Sequence, residues 1–210
     1  MEKHRLIQVF DRQANRYAKN KEGPVLKQWR QQLIGEAFGE VLELAVGAGA
    51  NFPYYPSGVK LTAVDFSESM LVRARQAAKE MDLDVSFICA DIEEVNFPDH
   101  SFDTIVSTLS FCSYGNPLKV LEKLNRWCKP HGKILLMEHG ISSNRAVAAV
   151  QKGLNPLLYR MIGCHHTRDM PGLVQKAGIR VDHRESHWFN MMHIILARPG
   201  SQAEDKLTGY

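Results

Sequence analysis

A glycine-containing turn between two apolar runs is the stretch of this sequence best suited to chemistry. Residues 41–52, VLELAVGAGANF, predict a buried strand followed by a turn at Gly47 and Gly49, and the next apolar run ends in Asp65. Glycine at such a turn lets the backbone approach a ligand, because a Cβ there would collide with it or demand an unfavourable φ. The arrangement predicts a site for an adenosine-containing cofactor in a doubly wound sheet.

The residues around this turn indicate which adenosine cofactor it would hold. A dinucleotide site normally reads GxGxxG, whereas this turn reads AxGxGANF and lacks the third glycine at the expected offset. Glu43 lies in the strand before the turn, where a carboxylate would repel a pyrophosphate but attract an ammonium group, directly or through water. S-adenosylmethionine carries an ammonium group and a sulfonium, so these residues favour it.

Strands and helices must alternate around this turn to hold it in place. Strands are predicted at VLELAV, KLTAVDF, VSFICAD, FDTIVSTLSF and KILLMEH, with helices at SESMLVRARQAAKEMD and PLKVLEKLNRWCK. The last two runs, IRVDHRESHW and MMHIILARP, predict a hairpin with its turn at Phe189 and Asn190. We therefore expect an α/β fold with a doubly wound, mostly parallel seven-stranded sheet and an antiparallel C-terminal strand.

The organisation of the chain predicts a single domain over residues 1–199, because 210 residues with 44% hydrophobic content can bury one full core. Residues 1–40 are expected to form two helices that cap the cofactor cleft, and residues 41–140 the cofactor-binding core. Residues 141–170 hold an amphipathic stretch longer than a crossover needs, which predicts a helical insert on the substrate side. The polar residues 200–210 are expected to be a disordered tail.

The order of these motifs resembles the S-adenosylmethionine-dependent methyltransferases with a Rossmann-like fold. ELAVGAG resembles their motif I, usually (D/E)xGxGxG, with Ala45 in place of the first glycine, and KPHGKILLMEH resembles their fifth-strand signature. FDRQANRY near the N-terminus is similar to the ubiquinone and menaquinone biosynthesis C-methyltransferases, and the segment from MEHG onward is similar to small lipid and thiol methyltransferases. The resemblance implies S-adenosyl-L-methionine as cofactor and S-adenosyl-L-homocysteine as product.

The resemblance also implies which residues contact the cofactor. Asp65 would accept hydrogen bonds from both ribose hydroxyls, and Asp91 would meet the exocyclic amine of adenine. Phe66 and Met70 would flank the adenine ring, and Tyr17 would close over the cofactor. The cofactor-binding residues predicted in this way are Tyr17, Glu43, Ala45, Gly47, Gly49, Asn51, Asp65, Phe66, Ser67, Met70, Ala90, Asp91, Ile92, Thr108 and Leu109.

The segments after the fourth and fifth strands are expected to hold the methyl acceptor. STLSFCSY lacks both the (D/N)PP(Y/F) signature and a Pro-Cys nucleophile, so base and amide acceptors are disfavoured. His139, His165 and His166 are candidate catalytic bases, because neutral histidine removes protons near physiological pH. Cys112 is expected to fill space as a small buried residue. Local spacing indicates no zinc site, so no metal is expected.

These features predict methyl transfer to a small, hydrophobic acceptor, either a phospholipid amine or a quinone-type precursor. A small-molecule thiol is an alternative acceptor, and a non-catalytic sensor that binds S-adenosylmethionine is an alternative of another class. The insert carries an apolar face suited to a greasy acceptor or a membrane surface, formed by Leu154, Leu157, Leu158, Met161 and Ile162. The simpler alternative is that this face covers the sheet.

The charge pattern and the apolar runs of the sequence limit which partners and which location are expected. The 26 Lys and Arg residues are interspersed with 23 acidic ones for a net charge of +3, without a basic stripe, so no nucleic-acid partner is expected. No long apolar run or signal-peptide pattern is visible. We expect a cytoplasmic protein with reduced cysteines, with peripheral membrane contact as an option. The oligomeric state stays open.

Overall fold

Strands and helices alternate along the computed structural model, which describes residues 3–19 and 22–200. The strands are β1 (Glu40–Leu44), β2 (Lys60–Asp65), β3 (Val85–Cys89), β4 (Phe102–Thr108), β5 (Cys128–His139), β6 (Arg180–His187) and β7 (Met192–Arg198). The helices are α1 (Lys3–Lys19), α2 (Pro24–Ile34), α3 (Glu68–Glu80), α4 (Pro117–Trp127), α5 (Arg145–Ile162) and α6 (Met170–Lys176), with a 3-10 turn at Phe52–Tyr54.

The strands form one mixed sheet in the order β3-β2-β1-β4-β5-β7-β6. Strands β1 to β5 are parallel, and β7 runs antiparallel between β5 and β6. The chain reverses its direction of winding between β1 and β4, and doubly wound sheets bind ligands in the crevice outside the carboxyl ends of strands at such a point. The predicted α/β fold, with its mostly parallel sheet and antiparallel strand, is confirmed.

Helices cover both faces of the sheet because alternate residues of each strand point to opposite sides. In β5, Ile134 and Leu136 pack in the core that includes α4 and α6. Leu135 and Met137 pack in the core that includes α2 and α3. An apolar core on each face therefore fixes the strand ends that carry the predicted site.

Helix α1 lies over the carboxyl edge of the sheet. Its Phe10 ring packs edge-on against Phe66, with 5.4 Å between ring centroids. At the start of the helix, Lys3 Nζ lies 3.1 Å from Asp91 Oδ2, just beyond β3. The two predicted N-terminal helices are both present, and α1 covers the edge at which the cofactor residues were predicted.

The predicted insert forms one surface helix, α5. Asn144 caps its start, because its Oδ1 accepts hydrogen bonds from the next backbone N–H groups at 3.0 and 3.2 Å. Gly163 ends the helix with a φ of +77°, and a Cβ there would lie 2.7 Å from the side chain of Leu6 in α1. No residue of α5 is buried. Leu154, Leu157 and Met161 are exposed and Leu158 and Ile162 half-buried, so most of this apolar face points to the solvent.

Strands β6 and β7 form the predicted hairpin. Its turn contains Trp188, Phe189 and Asn190, whose φ angles are +52°, +56° and +63°. The tip lies at the same edge of the sheet as the end of β5, because β7 begins opposite His139.

Two predictions about organisation stay untested. The division into cap, core and insert remains a prediction, and the tail from residue 201 onward lies outside the described residues. Within residues 3–19 and 22–200, the helices are all too short or too polar to cross a bilayer.

Candidate active site

The carboxyl ends of the parallel strands bring the predicted cofactor residues to one edge of the sheet. Glu43 lies near the end of β1, Asp65 ends β2, Asp91 follows β3 and Thr108 ends β4. The register places β1 directly between β2 and β4, because Glu43 pairs with a residue of each strand. Polar side chains from four separate motifs therefore converge on one crevice, as this topology requires.

The glycine turn leaves its backbone open on one side. Gly47 and Gly49 have φ angles of +56° and +84°. A Cβ on Gly47 would meet nothing nearer than the carbonyl oxygen of Ala45 at 4.0 Å, whereas a Cβ on Gly49 would lie 2.6 Å from the Phe52 ring. Gly49 therefore lets the turn pack on the core, and Gly47 leaves the approach that a cofactor needs.

Ala45 occupies the position of the first glycine in the family motif, and the backbone conformation at this position explains why the motif has glycine there. Its φ is +47°, in the left-handed region. Residues with a Cβ adopt this region at a cost of roughly 1–2 kcal/mol. The alanine at this position therefore introduces backbone strain at the start of the glycine turn.

Asp65 is held with its carboxylate against the glycine turn. Its Oδ2 accepts a hydrogen bond from the Gly47 N–H at 2.9 Å, and its Oδ1 accepts one from the Ser67 N–H at 2.8 Å. Burial raises the pKa of Asp65 to about 6 despite these hydrogen bonds. Each oxygen keeps a lone pair for another donor, so the carboxylate suits the predicted contact with two ribose hydroxyls.

Ser67 and Met70 lie at the start of α3, directly after the end of β2. Ser67 caps α3, since its Oγ accepts a hydrogen bond from the Met70 N–H at 3.1 Å and donates one to Asp11 at 2.5 Å. Met70 is buried in the helix. The aromatic contact between Phe66 and Phe10 closes this side, so α1, α3 and the end of β2 form one wall of the crevice.

Asp91 is already paired with a cation. Its Oδ2 contacts Lys3, and its Oδ1 accepts a hydrogen bond from the Glu93 N–H at 2.8 Å. Next to it, the Ala90 N–H donates to the Asp65 carbonyl at 3.0 Å, and Ile92 is buried. Lys3 therefore forms an ion pair with the carboxylate that the resemblance assigns to the adenine amine. The sequence motifs did not reveal this ion pair.

Glu43 lies behind the turn and is engaged by the protein. The Asn51 Nδ2 donates to Glu43 Oε1 and the Tyr55 hydroxyl donates to Glu43 Oε2, both at 2.8 Å. The residue is 2% exposed, and burial raises its pKa to about 7. Of the two routes expected from the sequence, the indirect one fits this geometry, with the charge of Glu43 acting on an ammonium group through Asn51 or water.

Arg30 of α2 completes this network, and motif analysis missed it. Its Nη1 donates to Asn51 Oδ1 at 2.5 Å and to Thr108 Oγ1 at 2.9 Å. Its other nitrogens bind the Glu22 carboxylate at 2.8–3.0 Å. The sequence contained one signal for this network, because Arg30 is a charged residue next to Trp29 on the apolar face of α2. A cation buried there must be paired.

The loop after β4 is fixed by a buried carboxylate. Glu138 accepts hydrogen bonds from the backbone N–H groups of Ser110 and Phe111 at 3.0 and 3.1 Å. Burial raises the pKa of this carboxyl. At the start of the loop, Leu109 has a φ of +55° and donates its N–H to the Met137 carbonyl at 2.8 Å. Glu138 therefore positions the loop.

Two of the three predicted histidines lie together. The rings of His139 and His166 stack with centroids 4.8 Å apart. The His165 ring instead stacks on Tyr159 at 3.8 Å, with its Nδ1 3.1 Å from Asn155 Nδ2. Burial lowers the pKa of both His165 and His166. His139 and His166 therefore lie side by side at the expected acceptor site, and His165 packs against α5.

Two cysteines meet beside His139. The sulfur atoms of Cys112 and Cys164 are 3.1 Å apart, and both lie within 4.8 Å of a His139 ring nitrogen. The hydrogen bond from Cys112 and the nearby His139 hold the pKa of the Cys164 thiol well below its usual range. Burial and the charges of these thiols and Asp65 raise the pKa of Tyr17 to about 12.

Known proteins resemble this chain over its cofactor half. A family model described as a methyltransferase domain matches residues 42–136. Phosphatidylethanolamine N-methyltransferase of Cereibacter sphaeroides is 36% identical, thiol S-methyltransferase TMT1B of Rattus norvegicus 32%, and the ubiquinone/menaquinone biosynthesis C-methyltransferase UbiE of Bdellovibrio bacteriovorus 32%. These matches cover 55%, 65% and 53% of this chain. They cover 58%, 58% and 51% of the relatives, so the chain spans little more than half of their length.

Solved structures share the fold. A chain of the complex between the Haloferax volcanii Trm112 methyltransferase activator and a methyltransferase matches with a TM-score of 0.70 at 18% identity, over 91% of this chain and 98% of that chain. At this identity the likeness shows the fold alone. The open backbone at Gly47 and the free lone pairs of Asp65 fit the cofactor of this class. Residues 42–136 therefore match a methyltransferase domain, and the chain has the Rossmann-like fold of the solved structure that it resembles.

Proposed function

We propose that this chain transfers a methyl group from S-adenosylmethionine to a small hydrophobic acceptor, a phospholipid amine or a quinone-type precursor, at the surface of a membrane. One observation carries this proposal: a row of exposed apolar side chains on α5, the helix that packs against the candidate histidines. The relatives that act on phosphatidylethanolamine and on ubiquinone or menaquinone precursors support the choice of acceptor.

The row consists of large side chains on one helix face. Val150, Leu154, Leu157 and Met161 are 61%, 48%, 56% and 63% exposed. Steps of four, three and four residues place them along a single stripe. Single exposed apolar residues are ordinary, but a contiguous exposed stripe is typical of an interaction surface.

Aromatic and basic residues suit this surface to a bilayer with anionic lipids. At the hairpin tip, Trp188 is 50% exposed and Phe189 is 66% exposed. The Phe189 carbonyl accepts a hydrogen bond from the Ser143 N–H at 2.8 Å, which joins the tip to the start of α5. Lys152 and Arg160 are exposed on α5. Tryptophan and basic side chains favour the interface between water and lipid.

Helix α5 also builds part of the acceptor site. The Asn155 Oδ1 accepts a hydrogen bond from the His166 N–H at 2.9 Å. The Gln151 Nε2 donates to the carbonyls of Gly140 and His166 at 3.2 and 3.1 Å. A membrane surface that binds α5 would therefore bring its lipid-soluble molecules close to His139 and His166.

The chain's own residues would divide the work of methyl transfer. When bound, S-adenosylmethionine supplies an electrophilic methyl group to a nucleophile. Asp65 would hold the ribose, and Gly47 would let the backbone approach the cofactor. His166, whose pKa burial lowers, would accept the proton that the acceptor releases. Helix α1 shields the crevice from water, which strengthens the electrostatic interactions inside it.

A small-molecule thiol is the second candidate acceptor. The thiol S-methyltransferase relative supports it, and the cluster of Cys112, His139 and Cys164 gives the acceptor side a soft, sulfur-rich character. A non-catalytic sensor would bind the cofactor at the same crevice and transfer no methyl group.

Vesicle flotation tests the membrane part of this proposal. The test variant carries Leu157→Glu with Met161→Glu, and the control carries Val72→Glu, because Val72 is 52% exposed on α3. The unmodified chain and the control should float with vesicles that contain anionic phospholipid, and the double variant should stay in the dense fraction with unchanged S-adenosylhomocysteine affinity. Equal flotation of the double variant, or none for the unmodified chain, would refute the membrane surface.

A further inference from the structure

We propose that Cys112, His139 and Cys164 form a zinc site at the acceptor end of the crevice, with a fourth coordination position open to a ligand. The three residues come from the loop after β4, the end of β5 and the loop after α5. Zinc in proteins is bound by cysteine sulfur and histidine nitrogen, and three protein ligands with one open position are typical of catalytic zinc. This proposal revises the expectation of no metal that local spacing suggested.

The ligand atoms lie close to the separations that zinc requires. All three are within 4.8 Å of one another. Tetrahedral coordination with Zn–S bonds of about 2.3 Å places two sulfur atoms roughly 3.8 Å apart. The sulfur atoms of Cys112 and Cys164 are 3.1 Å apart, so zinc requires them to separate by about 0.7 Å. Small changes in the side-chain torsions provide such a movement.

The surrounding structure holds these three residues in place without a metal. Glu138 fixes the backbone just before Cys112 through the two hydrogen bonds described above. The His165 N–H donates to the Cys112 carbonyl at 2.9 Å, which joins the two loops that carry the cysteines. The His139 ring is fixed by its stacking on His166. A ligand set that is already ordered loses little entropy when it binds a metal.

An unsatisfied polar atom lies beside the cluster. The Nε2 of His166 is buried and has no hydrogen-bond partner within the part of the chain that the structure describes. Buried polar atoms are nearly always paired, and metal sites commonly use a neighbouring polar group to orient a bound water or ligand. A water or other group at the fourth zinc position would offer His166 such a partner.

A second histidine pair in the sequence forms no comparable group. His183 and His187 are four residues apart, but they lie along the exposed strand β6. Their Nε2 atoms instead contact Glu185 at 3.1 and 3.2 Å. The zinc assignment therefore rests on the tertiary contact among the three residues.

The open position suits a thiol acceptor, and this part rests on the proposed function. Cys112 follows the end of β4 and His139 ends β5, so the cluster lies at the same edge of the sheet as Asp65 at the end of β2. A thiol that enters the fourth position would form a Zn–S bond as a thiolate and release its proton to water or to His166. Zinc favours this step because it lowers the pKa of a coordinating thiol.

A zinc-binding measurement on the full chain tests the site. The protein is stripped of metal under a phosphine reductant, titrated with Zn²⁺ against a chromophoric chelator, and assayed by mass spectrometry after dialysis. We expect one zinc ion per chain, and at least ten-fold weaker binding for Cys112→Ala, Cys164→Ala and His139→Ala. Cys89→Ala and Cys128→Ala are matched controls that should bind as the unmodified chain does, because neither thiol belongs to the cluster.

The outcomes separate this site from the proposed function. Failure to retain zinc, or equal retention by the three cluster variants, would overturn the site and leave methyl transfer untouched. Circular dichroism verifies folding, and Cys164→Ala and His139→Ala decide the question if Cys112→Ala does not fold. In the cobalt-substituted chain, an alkyl thiol should change the visible spectrum. An unchanged spectrum with cobalt bound would overturn the open position.

Discussion

The guanidinium of Arg30 donates a hydrogen bond of 2.5 Å to the side-chain oxygen of Asn51 and so ties α2 to the glycine turn. The same amide donates through its nitrogen to Glu43 at 2.8 Å. A cation, an amide and a carboxylate therefore form a buried chain behind the turn, and each end fixes the orientation of the amide. The shape of the cofactor crevice thus depends on a residue that lies outside every family motif.

Replacement of Arg30 by methionine should destabilise the protein and weaken cofactor binding. The change leaves Asn51 and the Glu22 carboxylate without their partner, and Glu22 is only partly exposed. We expect a loss of about 2–3 kcal/mol in the free energy of unfolding, somewhat below the cost of breaking a fully buried pair. Urea denaturation of the variant and the unmodified chain measures this difference in the free energy of unfolding. The double variant Arg30→Met, Glu22→Gln should recover part of the loss, and a double variant no more stable than the single one would contradict this role.

Replacement of Ala45 by glycine should stabilise the chain. Glycine removes the left-handed strain of roughly 1–2 kcal/mol at a φ of +47°. In the opposite direction, the greater conformational freedom of glycine in the unfolded chain disfavours folding by about 0.5–1 kcal/mol. The net gain should be about 0.5–1 kcal/mol, seen as a Tm about 2–3 °C higher by calorimetry. A lower Tm for Ala45→Gly would show that the alanine methyl packs usefully.

The two turn glycines should respond differently to alanine. Gly47→Ala places a methyl group in open space toward the crevice, so it should weaken S-adenosylhomocysteine binding at least ten-fold, and the left-handed φ of +56° should lower Tm by a few degrees. Gly49→Ala adds a clash with the Phe52 ring to the same backbone strain, so it should lower Tm more than Gly47→Ala does and affect cofactor affinity less. Calorimetric binding and thermal melting of both variants distinguish them. Equal affinity of Gly47→Ala and the unmodified chain would place the cofactor elsewhere.

Most of the fold, but only part of the site, was predictable from the sequence. Short apolar runs separated by helical periodicity identify the parallel strands, and the turn chemistry at Gly47 and Gly49 identifies the crevice. Tertiary contacts between distant segments leave no local pattern. Arg30 is 21 residues from Asn51, and Cys112 is 52 residues from Cys164. Their partners emerge only when α2 and the loop after α5 pack against the sheet.

Cofactor affinity should fall as the solution becomes acidic. Burial raises the pKa of Asp65 to about 6, and a protonated carboxyl accepts fewer hydrogen bonds from the ribose hydroxyls. A proton therefore competes with the cofactor, and affinity present above pH 6 is lost as the pH falls through that value. S-adenosylhomocysteine should bind about ten-fold more weakly at pH 5 than at pH 8. Glu43, with a pKa raised to about 7, adds to the loss in the same direction.

Asp65→Asn provides the control for this pH dependence. The variant should bind weakly at every pH and show a flatter profile by calorimetry, because the main titrating group is gone. A profile for Asp65→Asn as steep as that of the unmodified chain would assign the titration to another group.

Transfer of a labelled methyl group tests the central claim most directly. The chain is incubated with methyl-labelled S-adenosylmethionine and vesicles that contain phosphatidylethanolamine, an alkyl thiol or a demethylated quinol, and the label in the lipid phase is counted. We expect label in at least one of these hydrophobic acceptors for the unmodified chain and none for Asp65→Ala. Tight cofactor binding with no label in any acceptor would contradict the account and indicate a sensor.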